Sequence, residues 1–147
     1  MTLLFFAVNI TFMIRIDDRE ESAELIRAHL RAYNRKFFTD SEDINITDEN
    51  DGVFRGGLAA TRDFDTLYIE YLVVDPAFRG KGVGEGLIRE AERIAAEKGV
   101  KRIRLMTYSF QAPLFYEKMG FEREWVVSPV FCKYDEYHFV KELPHEA

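Results

Sequence analysis

The segment from Leu72 to Gly84 places the strongest constraint on how this chain can fold and what it can bind. An apolar run ends at Pro76, and three glycines follow at alternate positions, Gly80, Gly82 and Gly84, directly before an amphipathic helical pattern. A helix that begins at such a turn leaves a row of backbone N–H groups without intrahelical acceptors, and its N-terminus carries a partial positive charge. The pattern therefore predicts a binding site for a phosphate or pyrophosphate group.

Charge and backbone freedom in the same turn strengthen this prediction. Arg79 and Lys81 supply full positive charges beside the glycines, and glycine lets the main chain approach phosphate oxygens and adopt positive φ. The spacing excludes two familiar phosphate-binding loops. A Walker loop needs Lys and then Ser or Thr after its last glycine, and the dinucleotide fingerprint G-x-G-x-x-G needs a third glycine where Glu85 or Leu87 stands.

Two motifs in the chain, in the correct order, match one family. R-x-x-G-x-G is formed by Arg79, Gly82 and Gly84 after a strand that ends in V-x-P, and F-Y-E-K-M-G-F begins at Phe115. The combination strongly resembles the GNAT superfamily of N-acetyltransferases, and the resemblance is specific from the preceding strand to the end of the second motif. It implies that acetyl-CoA is bound by its pyrophosphate at the glycine turn and that the acetyl group passes directly to a primary amine.

The same resemblance implies contacts to acetyl-CoA. The strand before the turn is expected to separate from its neighbour at a bulge, so that its last main-chain groups meet the pantetheine arm and the thioester. Many relatives place an asparagine seven residues before the helix tyrosine, whereas this chain has Ser109 there, with Gln111 available to compensate. The implied cofactor-binding residues are Leu72, Val73, Val74, Arg79, Gly80, Lys81, Gly82, Val83, Gly84, Ser109, Gln111 and Phe115.

Acetyl transfer needs an acceptor for the amine proton, stabilisation of the carbonyl oxygen and a proton for the departing thiolate. Tyr116 matches the tyrosine that the superfamily sets next to the CoA sulfur, and a phenol, with a pKa of about 10, is protonated at pH 7. Glu70 is the single carboxylate in an otherwise apolar or aromatic strand and is the candidate base. Strand alternation leaves open whether Glu70 faces the site or only solvent.

Hydrophobic periodicity predicts an α/β fold. Helices are expected at Glu20–Tyr33, Glu85–Lys98 and Pro113–Met119. Strands are expected at Phe12–Ile16, Ile44–Thr47, Val53–Ala60, Leu67–Val74 and Arg102–Tyr108, and around 125–127 and 137–141. This order implies a single domain with a central mixed, mostly antiparallel sheet flanked by helices on both faces, which is also the fold implied by the resemblance.

Composition limits the number of domains, the cellular compartment and the kinds of partner that are expected. A chain of 147 residues with 47% hydrophobic content suits one globular domain. The net charge of −6 argues against nucleic acid as a partner and favours a cationic acceptor. The single Cys132 cannot form an internal disulfide, which favours the cytoplasm. With His29, His138 and His145 it shows no metal-ligand spacing, so no metal is expected.

The N-terminal segment is apolar between Leu3 and Val8, but it is too short to span a bilayer and lacks the basic leader of a signal peptide. No membrane association is therefore expected. It is either an apolar strand or tail packed on the domain or, as we favour, an extension over residues 1–12 upstream of a natural start at Met13. The N-acetyltransferase domain is then expected over residues 13–147.

The acceptor is left open by the sequence. A small-molecule amine is expected, and a protein lysine or N-terminus is an alternative that would need a longer groove. The alternative to an enzyme is a non-catalytic module that binds and senses acyl-CoA. The presence of both Glu70 and Tyr116 argues against this alternative. The resemblance implies candidates for the acceptor pocket, because the first helix region and the last hairpin flank it in relatives: these are the aromatic side chains Tyr33, Phe37, Phe38 and Trp125. Dimers are common among relatives, so a homodimer is a further candidate.

Overall fold

The computed structural model describes residues 14–144, and the chain divides into one unit that ends at Phe37 and another that begins at Phe38. In the described part of the first unit, helix α1 (Glu20–Asn34) confirms the predicted helix. The predicted strand Phe12–Ile16 is wrong for residues 14–16, which form no strand, and its first two residues lie outside the described range. Alternation alone does not make a strand, since a strand also needs a neighbour with which to pair.

The second unit contains a six-stranded mixed sheet with the order β1-β2-β3-β4-β6-β5. Its strands are β1 (Ser41–Asn50), β2 (Val53–Asp63), β3 (Thr66–Val74), β4 (Arg102–Tyr108), β5 (Glu122–Phe131) and β6 (Tyr134–Glu142). All neighbours are antiparallel except β3 and β4, which are parallel and are joined through helix α2 (Val83–Glu97). Helix α3 (Pro113–Lys118) connects β4 to β5. The predicted mixed, mostly antiparallel sheet is confirmed.

The β1–β2 hairpin is longer than its sequence pattern suggested. A connection over residues 48–52 was expected, but the strands continue to Asn50 and resume at Val53. Asp51 and Gly52 both have positive φ, 51° and 74°, as the two central residues of a tight hairpin turn of this length require. The polar residues before the turn therefore belong to the strand.

Helix α2 packs against β1, β2 and β3. Helix α1 belongs to the first unit. The buried side of α2 is formed by side chains at helical spacing, namely Val83, Leu87, Ile88, Ala91 and Ala95. They join the fully buried Leu67, Ile103 and Phe139 of the central strands in one core. Complete burial of each large apolar side chain contributes about 1.5–3 kcal/mol, so α2 is firmly placed against the sheet.

Gly56 in β2 allows the close approach that fixes the start of α2. A Cβ at this position would lie 2.8 Å from the carbonyl oxygen of Val73 and 2.9 Å from Cγ1 of Val83. Both distances are shorter than real Cβ contacts, and one of the atoms belongs to the backbone, which cannot yield cheaply. The missing side chain therefore sets the distance between the end of β3 and the first turn of α2.

We expect Gly56→Ala to lower the free energy of unfolding by about 1–3 kcal/mol, because the added methyl must push β3 and α2 apart. Gly86→Ala is the matched control, since a Cβ there meets no atom within 4 Å and lies inside a helix. That control should raise stability by up to about 1 kcal/mol. Urea titration followed by circular dichroism measures both. Equal stability of the two variants would contradict this account of the packing.

Candidate active site

A cavity of about 930 Å³ lies where β3, the glycine turn, the start of α2, β4 and the loop into α3 meet. It brings together most of the residues predicted from the sequence. Those in its lining are Glu70, Leu72, Val73, Val74, Arg79, Gly80, Gly82, Val83, Gly84, Gln111, Phe115 and Tyr116. Ser109 and Lys81 were also predicted to contact the cofactor, but they do not line this cavity.

The glycine turn has the geometry of an anion-binding site. Gly80 and Gly82 have φ values of 71° and 83°, and a Cβ at either would meet nothing within 4 Å. These glycines are thus required by backbone conformation, and they leave the main chain open on its outer side. Helix α2 begins at Val83, two residues before the predicted start, because Gly82 in the left-handed conformation is its N-cap.

The first backbone hydrogen bond within α2 is donated by the N–H of Gly86 to the carbonyl oxygen of Gly82 at 2.9 Å. The three preceding N–H groups, of Val83, Gly84 and Glu85, therefore have no intrahelical acceptor. The N-cap glycine has no side chain to cap them. Free N–H groups and the helix dipole together favour an anion at this end of the cavity.

The two cations of the turn point to different places. Arg79 lines the cavity, and its Nε donates to the carbonyl oxygen of Val74 at 3.2 Å, which holds the guanidinium beside the end of β3. Lys81 instead lies with its Nζ 5.4 Å from the centre of the Phe78 ring and lines a neighbouring cavity of about 390 Å³. Gly82 borders both cavities. The positive φ of Gly80, which lies between Arg79 and Lys81, reverses the chain direction locally and accompanies this separation.

Strand β3 carries the bulge that the resemblance implied. In the β2–β3 ladder Ala59 is paired with Tyr71 and Ala60 with Ile69, so Glu70 is the extra residue. The parallel ladder between β3 and β4 ends at the pair Ile69 and Leu105. Beyond this pair the two strands separate, since β3 continues along β2 and β4 continues along β6.

The cavity occupies this gap and takes its lining from both faces of the sheet. Leu72 and Val74 pack against the core that α2 covers, whereas Tyr71 and Met106 are exposed. Facing main-chain groups at the ends of β3 and β4 have no partner in the ladder between the two strands. The gap can therefore accept an amide-containing chain that forms strand-like hydrogen bonds.

Tyr116 is held by aromatic neighbours at the inner side of the cavity. It is 8% exposed, and its ring centre lies 5.2 Å from that of Phe115, 5.9 Å from that of Phe121 and 6.0 Å from that of Phe139. Burial raises the pKa of the Tyr116 phenol above its ordinary value. The hydroxyl is thus neutral at physiological pH and able to donate a proton into the cavity.

Glu70 both lines the cavity and reaches solvent, so the two readings that the sequence left open are compatible. Its Oε1 accepts a hydrogen bond of 2.8 Å from the hydroxyl of Thr61 on β2. At the bulge the side chain sits where β3 leaves β4, beside the gap. Sequence analysis missed Thr61, which lies on a neighbouring strand and is opposed to Tyr68 rather than to Glu70.

Ser109 is engaged elsewhere. Its N–H donates to the carbonyl oxygen of Asp135 at 2.9 Å, and its Oγ accepts from the N–H of Asp135 at 3.1 Å. This pair of bonds ties the loop after β4 to the start of β6. The serine at the asparagine position therefore serves the scaffold. Since Ser109 does not line the cavity, its contact with the pantetheine arm stays a prediction.

Gln111 lines the cavity in a fixed orientation. Its Oε1 accepts from the backbone N–H of Tyr108 at 2.9 Å and from the hydroxyl of Thr107, a buried residue, at 3.0 Å. Because the oxygen accepts these two bonds, the Nε2 group is the part left to donate. Gln111 thus offers an amide donor to the cavity, and its contact with the pantetheine arm stays a prediction.

Several cavity residues escaped the sequence analysis because they carry no motif. Their common property is that they border the gap or the turn, namely Ile69, Tyr71, Phe78, Glu85, Leu105, Met106, Thr107, Phe110 and Ala112. Of these, Met106 and Phe110 are large exposed apolar side chains. Both follow Leu105, the last β4 residue that pairs with β3. The sequence alone does not give this register, so it could not identify them.

Two features are absent from residues 14–144. No three His, Cys, Asp or Glu side chains there are grouped as ligands for a metal ion. No helix in the same range has the length and the apolar content that crossing a bilayer demands.

Comparison with known proteins agrees with this geometry. A family model described as Acetyltransferase (GNAT) family matches residues 10–121. An acetyltransferase of Agrobacterium fabrum is 34% identical over 113 residues, which cover 75% of this chain and 82% of the relative. The blasticidin-S acetyltransferase of Streptomyces morookaense is 38% identical over 71 residues, 48% of this chain and 52% of that one.

A solved structure of an acetyltransferase from Bacillus cereus is similar to the whole arrangement. It superposes with a TM-score of 0.71 at 33% sequence identity and covers 89% of this chain and 98% of its own. The glycine turn, the bulged strand and the buried tyrosine therefore lie in a fold shared with acetyltransferases. Since the family model spans most of the sequence, the chain belongs to the GNAT family of acetyltransferases.

Proposed function

We propose that this protein transfers an acetyl group from acetyl-CoA to a primary amine of a small molecule. One observation carries the proposal: the uncapped N–H groups of the α2 N-terminus lie at one end of a cavity that continues into the gap between β3 and β4. A ligand that joins a pyrophosphate to a long amide-containing arm matches both features. Acetyl-CoA has this construction and supplies an acyl group activated as a thioester.

The residues present fit such a ligand. The N–H groups of Val83, Gly84 and Glu85 and the guanidinium of Arg79 would hold the pyrophosphate. The main chain of residues 70–74 and the Nε2 of Gln111 would meet the pantetheine amides. Lys81 borders the adjoining cavity. Its ammonium group would attract the negatively charged 3′-phosphate of the CoA adenosine.

Two side chains on the gap supply the proton transfers. Glu70 would first accept a proton from the substrate ammonium, directly or through one water, so that the neutral amine can attack the thioester carbonyl. The nitrogen loses a further proton as the amide forms, and this proton balances the one that Tyr116 gives to the sulfur. Tyr116 would donate its proton to the departing sulfur as the C–S bond breaks. Backbone N–H groups of β3 freed at the bulge would face the carbonyl oxygen while negative charge develops on it.

The name of one relative supports a small-molecule acceptor, since blasticidin-S acetyltransferase is named for an antibiotic. The free, exposed thiol of Cys132 is compatible with a cytoplasmic protein. We also propose that residues 13–147 form the acetyltransferase domain. Two copies of the chain could pair through the exposed edge strand β5, because this strand pairs only with β6 in the described sheet.

The direct test has two parts. Calorimetry with acetyl-CoA should show tight binding, and a thiol-release assay over a panel of primary amines should show turnover. The amide product is identified by mass spectrometry. Tight binding with no thiol release from any amine would leave the acyl-CoA sensor as the function and overturn the proposal.

We expect Gly82→Asp to weaken acetyl-CoA binding by about a hundredfold or more, because a carboxylate would face the pyrophosphate at close range. Gly82→Asn is the matched control, since Asn has the same shape, carries no charge and tolerates positive φ. It should retain much more affinity than the Asp variant. Calorimetric titration measures both, and equal affinities would show that no anion binds at this turn.

We expect Tyr116→Phe to lower kcat by about a hundredfold, the usual effect of losing a general acid, with little change in acetyl-CoA affinity. Because burial raises the pKa of Tyr116, the wild-type enzyme should keep this proton donor to a higher pH than an ordinary phenol would allow. Tyr108→Phe removes a hydroxyl outside the cavity and should leave kcat unchanged. Steady-state kinetics measures kcat for the wild type and both variants. An undiminished kcat in Tyr116→Phe would show that Tyr116 is not the general acid.

We expect Glu70→Gln to reduce the rate chiefly at low pH, where the amine is protonated and a base is needed. At high pH free amine is abundant, and the variant should approach the wild-type rate. Rate measurements from pH 6 to pH 10 with one amine test this. A variant-to-wild-type ratio that is constant over the range would place Glu70 outside the proton-transfer step.

A further inference from the structure

We infer that the acceptor carries a second cationic group, and that this group binds beside the cavity between Glu136, His138 and Trp125. The inference rests on the proposed function and specifies its substrate as a dibasic compound. We name these three side chains the cation subsite. One amine of the substrate is acetylated near Glu70, and the other stays protonated in the cation subsite.

Strand register places the cation subsite next to the cavity. Met106, which lines the cavity, is paired with His138 on β6, and His138 is paired with Trp125 on β5. Side chains of directly opposed residues lie on the same face, about 5 Å apart at Cβ. Because Phe139 packs in the core, its neighbour His138 points to the other face of the sheet. The subsite therefore continues the outer side of the gap.

The contacts within the subsite suit a cation. Oε1 of Glu136 lies 2.6 Å from Nε2 of His138, and the Glu136 side chain is only 18% exposed. The Trp125 ring centre lies 4.3 Å from the His138 ring, while Trp125 as a residue is 58% exposed. An indole face and a half-buried carboxylate both attract an ammonium or guanidinium group.

Three other carboxylates of this part of the molecule have an arginine as partner. Glu117 is paired with Arg123, Glu124 with Arg104 and Glu142 with Arg102. Glu136 differs, because its ion-pair partner among the described residues is a histidine and not an arginine or lysine. A half-buried carboxylate without an arginine or lysine partner can be stabilised by a cation that a ligand brings.

The spacing sets the kind of substrate. Glu70 lies on β3 and Glu136 on β6, and β4 runs between them. Two strand spacings amount to about 10 Å, and the gap beyond Ile69 adds to this. A compound whose two basic groups are separated by a spacer of several bonds can reach both carboxylates, whereas a short monoamine reaches only one.

The test compares three acceptors of equal chain length, an α,ω-diaminoalkane, the matching amino alcohol and the n-alkylamine. We expect kcat/KM for the diamine to exceed that of the other two by about tenfold, as one cation–π and ion contact would give. The amino alcohol controls for hydrogen bonding without charge. The preference should shrink at high salt, because an accessible charge pair is screened.

Variants locate the effect. Glu136→Gln should reduce the ratio of diamine to alkylamine kcat/KM by about tenfold, and Trp125→Leu, which removes the ring from an exposed position, should reduce it in the same direction. Glu142→Gln is the matched control, a carboxylate on the same strand and face that is paired with Arg102, and should leave the ratio unchanged. Thermal unfolding confirms that each variant is folded.

The outcomes separate this inference from acetyl transfer itself. Turnover of the alkylamine with no preference for the diamine, or a preference that survives in both Glu136→Gln and Trp125→Leu, overturns the cation subsite and leaves acetyl transfer standing. Thiol release from none of the three amines overturns both. A diamine preference that disappears in the two variants and persists in Glu142→Gln supports the inference.

Discussion

The separation of β3 from β4 after Ile69 and Leu105 is the constraint on which the rest of this structure depends. A parallel pair that stayed in register would leave no opening in the middle of the sheet. The extra residue at Glu70 turns β3 away at that point and keeps it paired with β2. The same bulge opens the cavity, frees main-chain groups for a ligand and places a carboxylate beside the gap.

The glycine turn works only because α2 is held in a fixed position at the end of β3. Gly56 permits the close approach of β2 to Val73 and Val83, and the buried side of α2 ties the helix to the core. The unpaired N–H groups therefore face one end of the gap, and Tyr116 borders the same cavity. An anion site, an extended slot and a proton donor become one active site through packing rather than through sequence proximity.

The cavity is lined from both faces of the sheet, so its two sides have different surroundings. The side toward α2 and α3 has the features of the cofactor site, while Tyr71 and Met106 on the other side are exposed. The carboxylates near that outer side, together with the acidic chain as a whole, favour cationic acceptors. A mixed sheet with one opened parallel pair thus forms a cavity that is reached from both of its faces.

Much was determined by the sequence alone. The helices, the six strands of the second unit and the glycine turn were predicted because periodicity and glycine spacing are local properties. The strand at residues 14–16 was not, since local alternation cannot supply a partner strand. Only the tertiary structure decided that Lys81 and Ser109 leave the cavity wall, that Thr61 meets Glu70, and that Met106 adjoins His138 and Trp125. The contacts of Ser109, Thr61 and Met106 depend on register between strands distant in the chain, and the place of Lys81 depends on the fold of the glycine turn, neither of which a local pattern specifies.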